Sequence, residues 1–189
     1  MKQEKLVDNL SITQKTMVLG TILGLYQVVK YVVFVCSLSK PTLSIVFTAM
    51  ALGVPFFAYH IQKRFRDKYS PKVFPFFLSW MVSFLTMFYS VVFSMVISFA
   101  LIELFDKDGT IFTLLSNQMV IAADTYRSLD GIEPELIEQM ERFAKVFSSM
   151  TPLSFIKMLI PTVFSSGNII SLIVAALTTK SIRNSLKNR

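Results

Sequence analysis

The chain is short of several things that chemistry usually needs. It has one cysteine, Cys36, and one histidine, His60, in 189 residues. A lone cysteine excludes a disulfide scaffold, and it excludes iron–sulfur or multi-cysteine zinc ligation within one chain. No second His, Cys, Asp or Glu stands one helical turn from His60, so a metal pair is absent there too. Neither an assembled Ser–His–Asp arrangement nor a nucleotide-binding loop is evident. No strand pattern is present either. Charge is scarce, at 16% of residues against about 25% in a soluble domain.

What the chain has instead is apolar residues, 53% of the total, with a mean hydropathy of +0.56. A soluble core of this size would leave much of that surface facing water. Four runs suit a bilayer about 30 Å thick, which takes roughly 20 helical residues per crossing. They cover 17–36, 41–61, 73–105 and 152–177. The first run lacks a small-residue cleavage site and is expected to stay as an anchor. Pro41 is expected to open the second helix, with Pro55 inside it. The third run would be about 50 Å long as helix, so it must tilt or project beyond the membrane. The whole of 1–189 then forms a single membrane domain, leaving little chain for a catalytic one.

Between runs three and four, 106–150 reads as two amphipathic helices. Ile111, Leu115, Met119 and Ala122 repeat at helical spacing, and so do Leu136, Met140, Phe143 and Phe147. Asp130-Gly131 punctuates the two helices. Glu138/Arg142 and Glu141/Lys145 stand at i,i+4 on the other face. The expected fold is therefore all-α: a polytopic membrane protein with four transmembrane helices and an extracytoplasmic amphipathic helical hairpin.

Net charge is +7, but its distribution points to threading and not to nucleic acid. Lys2, Lys5 and Lys15 precede the first run; Lys63, Arg64, Arg66, Lys68 and Lys72 follow the second; Lys180, Arg183, Lys187 and Arg189 follow the fourth. Nine of the acids fall between 103 and 150. Lysine and arginine stay cytoplasmic in short loops. An even number of crossings places all three basic segments on one side, so both termini and 62–72 are expected in the cytoplasm of a bacterial inner membrane. A three-span chain would strand one basic cluster outside.

Several residues are candidates for more than spanning. Gly20 and Gly24 form a small-xxx-small pair, and Gly167, Ser171 and Ala175 repeat the step, as close helix packing in lipid requires. The two seams could meet within the chain or across a dimer. Ser79, Ser83, Thr86, Ser90, Ser94 and Ser98 form a hydroxyl stripe along one face of the third run. It is either a packing seam or a polar wall along a solute path, and no acid stands near the middle of any run to serve coupled transport. Lys30 is the one charge well inside a run, either a functional group or a side chain that snorkels outward. Met140, Phe143 and Phe147 give a soft apolar face, for lipid, for a partner, or for covering the hairpin's own other half.

These pieces, in order, resemble a known family. They are Gly20-x-x-x-Gly24, Arg64-Phe65-Arg66-Asp67, Phe88-Tyr89-Ser90-Val91-Val92-Phe93 running on to Asp106, the acidic helix from Pro134 to Met150, and Ile170-Ser171-Leu172-Ile173-Val174-Ala175-Ala176. The chain resembles domain-of-unknown-function family 4199, small membrane proteins found mainly in Bacteroidota. It departs at Ser70-Pro71-Lys72-Val73-Phe74-Pro75, where the family often has a glycine-containing polar stretch. The resemblance implies no catalytic residue and no cofactor. It implies one kind of neighbour, a membrane glycosyltransferase acting on polyprenyl phosphate. The function expected is that of a non-enzymatic accessory or scaffold subunit in the bilayer, binding no metal and no nucleic acid. It would pack with another envelope component or with its own copies; the alternative is a small transporter or channel subunit.

Overall fold

In this computed structural model residues 11–70, 73–106, 108–129 and 133–179 are described. The basic positions Lys2, Lys5, Lys72, Lys180, Arg183, Lys187 and Arg189, and the Asp130-Gly131 punctuation, lie outside them. Six helices and no strand occur among the described residues. They are α1 (Ile12–Ser39), α2 (Leu43–Tyr69), α3 (Phe76–Phe105), α4 (Thr110–Arg127), α5 (Pro134–Ser148) and α6 (Pro152–Thr178). Four of them, α1, α2, α3 and α6, are long and apolar enough to cross a membrane. The chain is a multi-pass membrane protein.

The ends of the helices follow local chemistry. α1 begins five residues before the apolar run, because Ser11 and Gln14 form a capping box. The Ser11 hydroxyl accepts from the Gln14 N–H at 3.3 Å, and Gln14 Oε1 accepts from the Ser11 N–H at 2.9 Å. Pro41 does not open α2. It lies in the tight turn before it, where its carbonyl accepts from the Ser44 N–H. α2 then runs eight residues past the apolar run, so Lys63, Arg64, Arg66 and Lys68 are helical and not loop residues. Nothing breaks the helix until Ser70, which precedes a proline. Pro75 caps α3. Pro55 and Pro161 both lie within continuous helices.

α3 is the hub: it packs along α1 on one side and along α6 on the other, while α2 touches α1 and α6. Leu23, Val54, Ala58, Ile61, Met87 and Val174, from all four spans, form one buried cluster. Phe65, Phe74 and Val82 close one end. At the other end Leu38, Ile102, Phe112, Leu115 and Phe155 join α4 to the spans. The outward sides of the spans are apolar, as lipid contact requires; Ile45 is 77% exposed and Phe56 71%.

α4 and α5 pack against each other. The Ser116 hydroxyl donates to the Ala144 carbonyl at 2.9 Å. Arg127 bonds Glu141 across the pair, so Glu141 pairs between helices and not with Lys145. Glu138–Arg142 forms within α5 at 2.7 Å, as its spacing predicts. The Asp106 carboxylate accepts from the Ile111 N–H at 3.0 and 3.2 Å, and so holds the start of α4 onto the end of α3. Gln118 Nε2 donates to the Leu38 carbonyl at 3.3 Å and ties α4 to α1.

Candidate functional site

The hydroxyl stripe of α3 divides into three parts. At one end, Ser79 and Ser83 belong to a buried lock with Gln62 of α2. Gln62 Nε2 donates to the Ser79 carbonyl at 2.6 Å and to its hydroxyl at 2.9 Å, while Ser83 Oγ donates to Gln62 Oε1. Ser79 Oγ reaches α6 at the Ala175 carbonyl (3.1 Å) and the Thr178 hydroxyl (2.8 Å). Arg66 Nη1 donates to the Thr178 carbonyl at 3.2 Å. Buried amides and hydroxyls need such partners, and three helices supply them to one another here.

In the middle, Thr86 and Ser90 face α1. A Cβ on Gly20 would fall 2.5 Å from Tyr89 Cβ and 2.9 Å from the Thr86 carbonyl oxygen; one on Gly24 would fall 2.7 Å from Phe93 Cδ1 and 3.0 Å from the Ser90 carbonyl oxygen. The absent methyl groups are what let the two backbones touch. Gly167, Ser171 and Ala175 lie on α6, with Gly167 nearest Met87 of α3. Both small-residue seams therefore face α3 from its two sides, and they do not face each other. The Ser90 hydroxyl is buried and has no partner among the described residues.

Toward α4 and α5 the stripe changes character. Ser94 and Ser98 line a cavity of about 800 Å³ walled by all six helices. Most of the wall is apolar, including Phe34, Phe47, Phe155, Leu159, Val163 and Ile170. Its polar groups include Gln27, Lys30, Tyr31 and Gln118 besides the serines, and among the described residues Lys30 is the only charged one lining it. The Tyr31 hydroxyl is buried without a partner among the described residues. Among the described residues no acid accompanies Lys30 in the wall. Glu103, near the end of α3, is exposed. The donor set is thus one ammonium, one phenol, amides and hydroxyls around a hydrocarbon wall. Such a set can hold a head group and a chain.

Of the α5 face, Phe147 lines this cavity, Met140 is half-buried, and Phe143 is 51% exposed beside Leu136 and Val146. His60 is exposed near the Gln62 end, with its ring 5.8 Å from that of Tyr59. The cavity itself escaped sequence reasoning, although Lys30 marked its position as a charge at membrane depth.

No curated protein and no solved structure matches the chain. A family model described as "Protein of unknown function (DUF4199)" matches residues 19–180, nearly the whole length. The chain, with its four spans and the cavity between them, belongs to that family.

Proposed function

We propose that the chain is a non-enzymatic accessory protein of a bacterial inner membrane. In this reading both termini and the Gln62 end face the cytoplasm, and α4 and α5 lie on the outer side, where they pack with another envelope component. The observation that carries the reading is the asymmetry of the bundle. The Gln62–Ser79–Ser83–Thr178 lock and the Phe65–Phe74–Val82 cluster fill one end, while the cavity occupies the other. A bundle closed in this way supports holding or positioning a molecule over conducting one. The exposed Ile121, Leu136, Phe143 and Val146 of α4 and α5 offer an apolar surface on that side. A polyprenyl-phosphate glycosyltransferase is the neighbour that the family resemblance suggests.

The test is photocross-linking in native membranes from probes placed at Ile121 and Phe143. One reproducible protein adduct at both positions is the expected result. Recovery of a bare monomer from both positions, and again after gentle detergent extraction, overturns the accessory role. The transporter reading rests on the Ser94–Ser98 part of the stripe, which does line a cavity. Solute flux into proteoliposomes that disappears in Ser94→Leu would favour it.

A further inference from the structure

We infer that the cavity beneath α4 and α5 is a binding site for an anionic amphiphile drawn from the membrane, its head group held at Lys30 and its hydrocarbon chain laid along the apolar wall. Its volume, about 800 Å³, lies within the range of small-ligand sites, roughly 300–1,000 Å³. The charge of the occupant follows from what surrounds Lys30. An ammonium at membrane depth is held at a high free energy unless an anion or water meets it. Among the described residues the wall supplies no acid. The buried acid at this end, Asp106, turns both carboxylate oxygens to the Ile111 N–H. The Tyr31 hydroxyl, next in sequence to the half-buried Lys30 and on the same cavity wall, is a buried donor with no acceptor among the described residues. Two donors on one cavity wall, neither with an acceptor among the described residues, call for an oxygen-rich anion. Ser94, Ser98 and Gln118 can add hydrogen bonds to the same head group.

The rest of the wall decides against a small soluble anion. Phe34, Phe47, Phe155, Leu159, Val163 and Ile170 offer no hydrogen bond, and an anion alone would leave them facing vacuum or ordered water. A hydrocarbon chain fills that volume and keeps its dispersion contacts. The spans that carry the wall are themselves immersed in lipid, so an amphiphile can enter without crossing water. A phosphate head on a phospholipid and a carboxylate head on a fatty acid share this chemistry. The site does not depend on whether a protein partner is present.

The experiment uses the full chain, purified, stripped of lipid and examined by native mass spectrometry with three added probes: oleic acid, phosphatidylglycerol and zwitterionic phosphatidylcholine. Wild type should retain at least one of the two anionic probes, and oleic acid against phosphatidylglycerol tells carboxylate from phosphodiester. Phosphatidylcholine carries the same phosphodiester but adds a choline cation, which repels the Lys30 ammonium, and it should bind about tenfold more weakly. Lys30→Gln should lower retention of the preferred anion about tenfold, and Lys30→Arg should keep it within about threefold, since the charge remains. Ser98→Phe keeps Lys30 but fills part of the cavity with a ring, and it should also lower retention about tenfold; if Lys30→Gln fails to fold, this variant and Lys30→Arg still decide. Equal binding of all three probes, full retention by Lys30→Gln, or full retention by Ser98→Phe overturns the assignment.

Discussion

A single methyl group decides how close α1 comes to α3. At Gly20 an added Cβ meets two atoms below 3.0 Å, one of them the Thr86 backbone oxygen, which cannot turn aside. At Gly167 the nearest atom, Met87 Cβ, stands at 4.0 Å, an ordinary contact. The two substitutions therefore separate close approach from helix propensity. Gly20→Ala should lower stability by about 1–3 kcal/mol, the usual range for overfilling a tight contact. Gly167→Ala should leave stability unchanged or raise it by up to about 1 kcal/mol, because alanine is the better helix former. Sodium dodecyl sulfate titration of the protein in mixed micelles, followed by circular dichroism, measures both. Equal losses in the two variants would mean that the α1–α3 seam is not where the structure puts it.

At the scale of the element, α5 carries its apolar residues over about half its circumference. Ala144 is buried against α4, where the Ser116 hydroxyl meets its carbonyl. Leu136, Phe143 and Val146 are exposed, while Glu138 and Arg142 pair on the polar face. In the purified protein, where no partner covers that face, a helix with this division lies flat at a membrane surface, its apolar side in the head-group region. In a Trp80→Phe background, Phe143→Trp fluorescence should be quenched by lipids brominated high on the acyl chain, and Glu138→Trp should not. Quenching of both positions, or of neither, would remove α5 from the surface.

The same helices show what the sequence could and could not reveal. Long apolar runs made the four spans visible, since length and hydropathy are local properties. Helix ends depend on caps and breakers outside the runs. Ser11 and Gln14 were a readable capping signal that apolar periodicity passed over. The basic turns of α2 looked like loop because charge masked a helix with no breaker in it. Spacing alone favoured Glu141–Lys145, but Arg127 on the next helix competes for that carboxylate, a choice only tertiary placement settles. The hydroxyl stripe was visible as a pattern, yet its division into lock, seam and cavity wall depends on which helix faces each turn of α3. The cavity needs residues from six helices, and no local pattern encodes that.

Across the whole molecule, charge is sorted by end. Lys63, Arg64, Arg66 and Lys68 gather on the last turns of α2, joined there by Lys15, whose ammonium lies 3.9 Å from the Tyr69 ring centre. The opposite end carries Asp106, Asp108, Asp124, Glu133, Glu135, Glu138 and Glu141. Basic side chains resist translocation, while acidic ones weigh little in orientation, so the α2 basic turns should stay inside and α4 should be carried out. Single cysteines placed at Lys63 and at Ser128, both exposed, test this in a Cys36→Ser background. A membrane-impermeant maleimide added to spheroplasts should label the Ser128→Cys protein directly and the Lys63→Cys protein only after the membrane is permeabilised. The reverse pattern would invert the molecule, placing the Gln62 lock outside and opening the Lys30 cavity toward the cytoplasmic leaflet. Labelling of both without permeabilisation would remove the bilayer from between the two ends of α2 and α4.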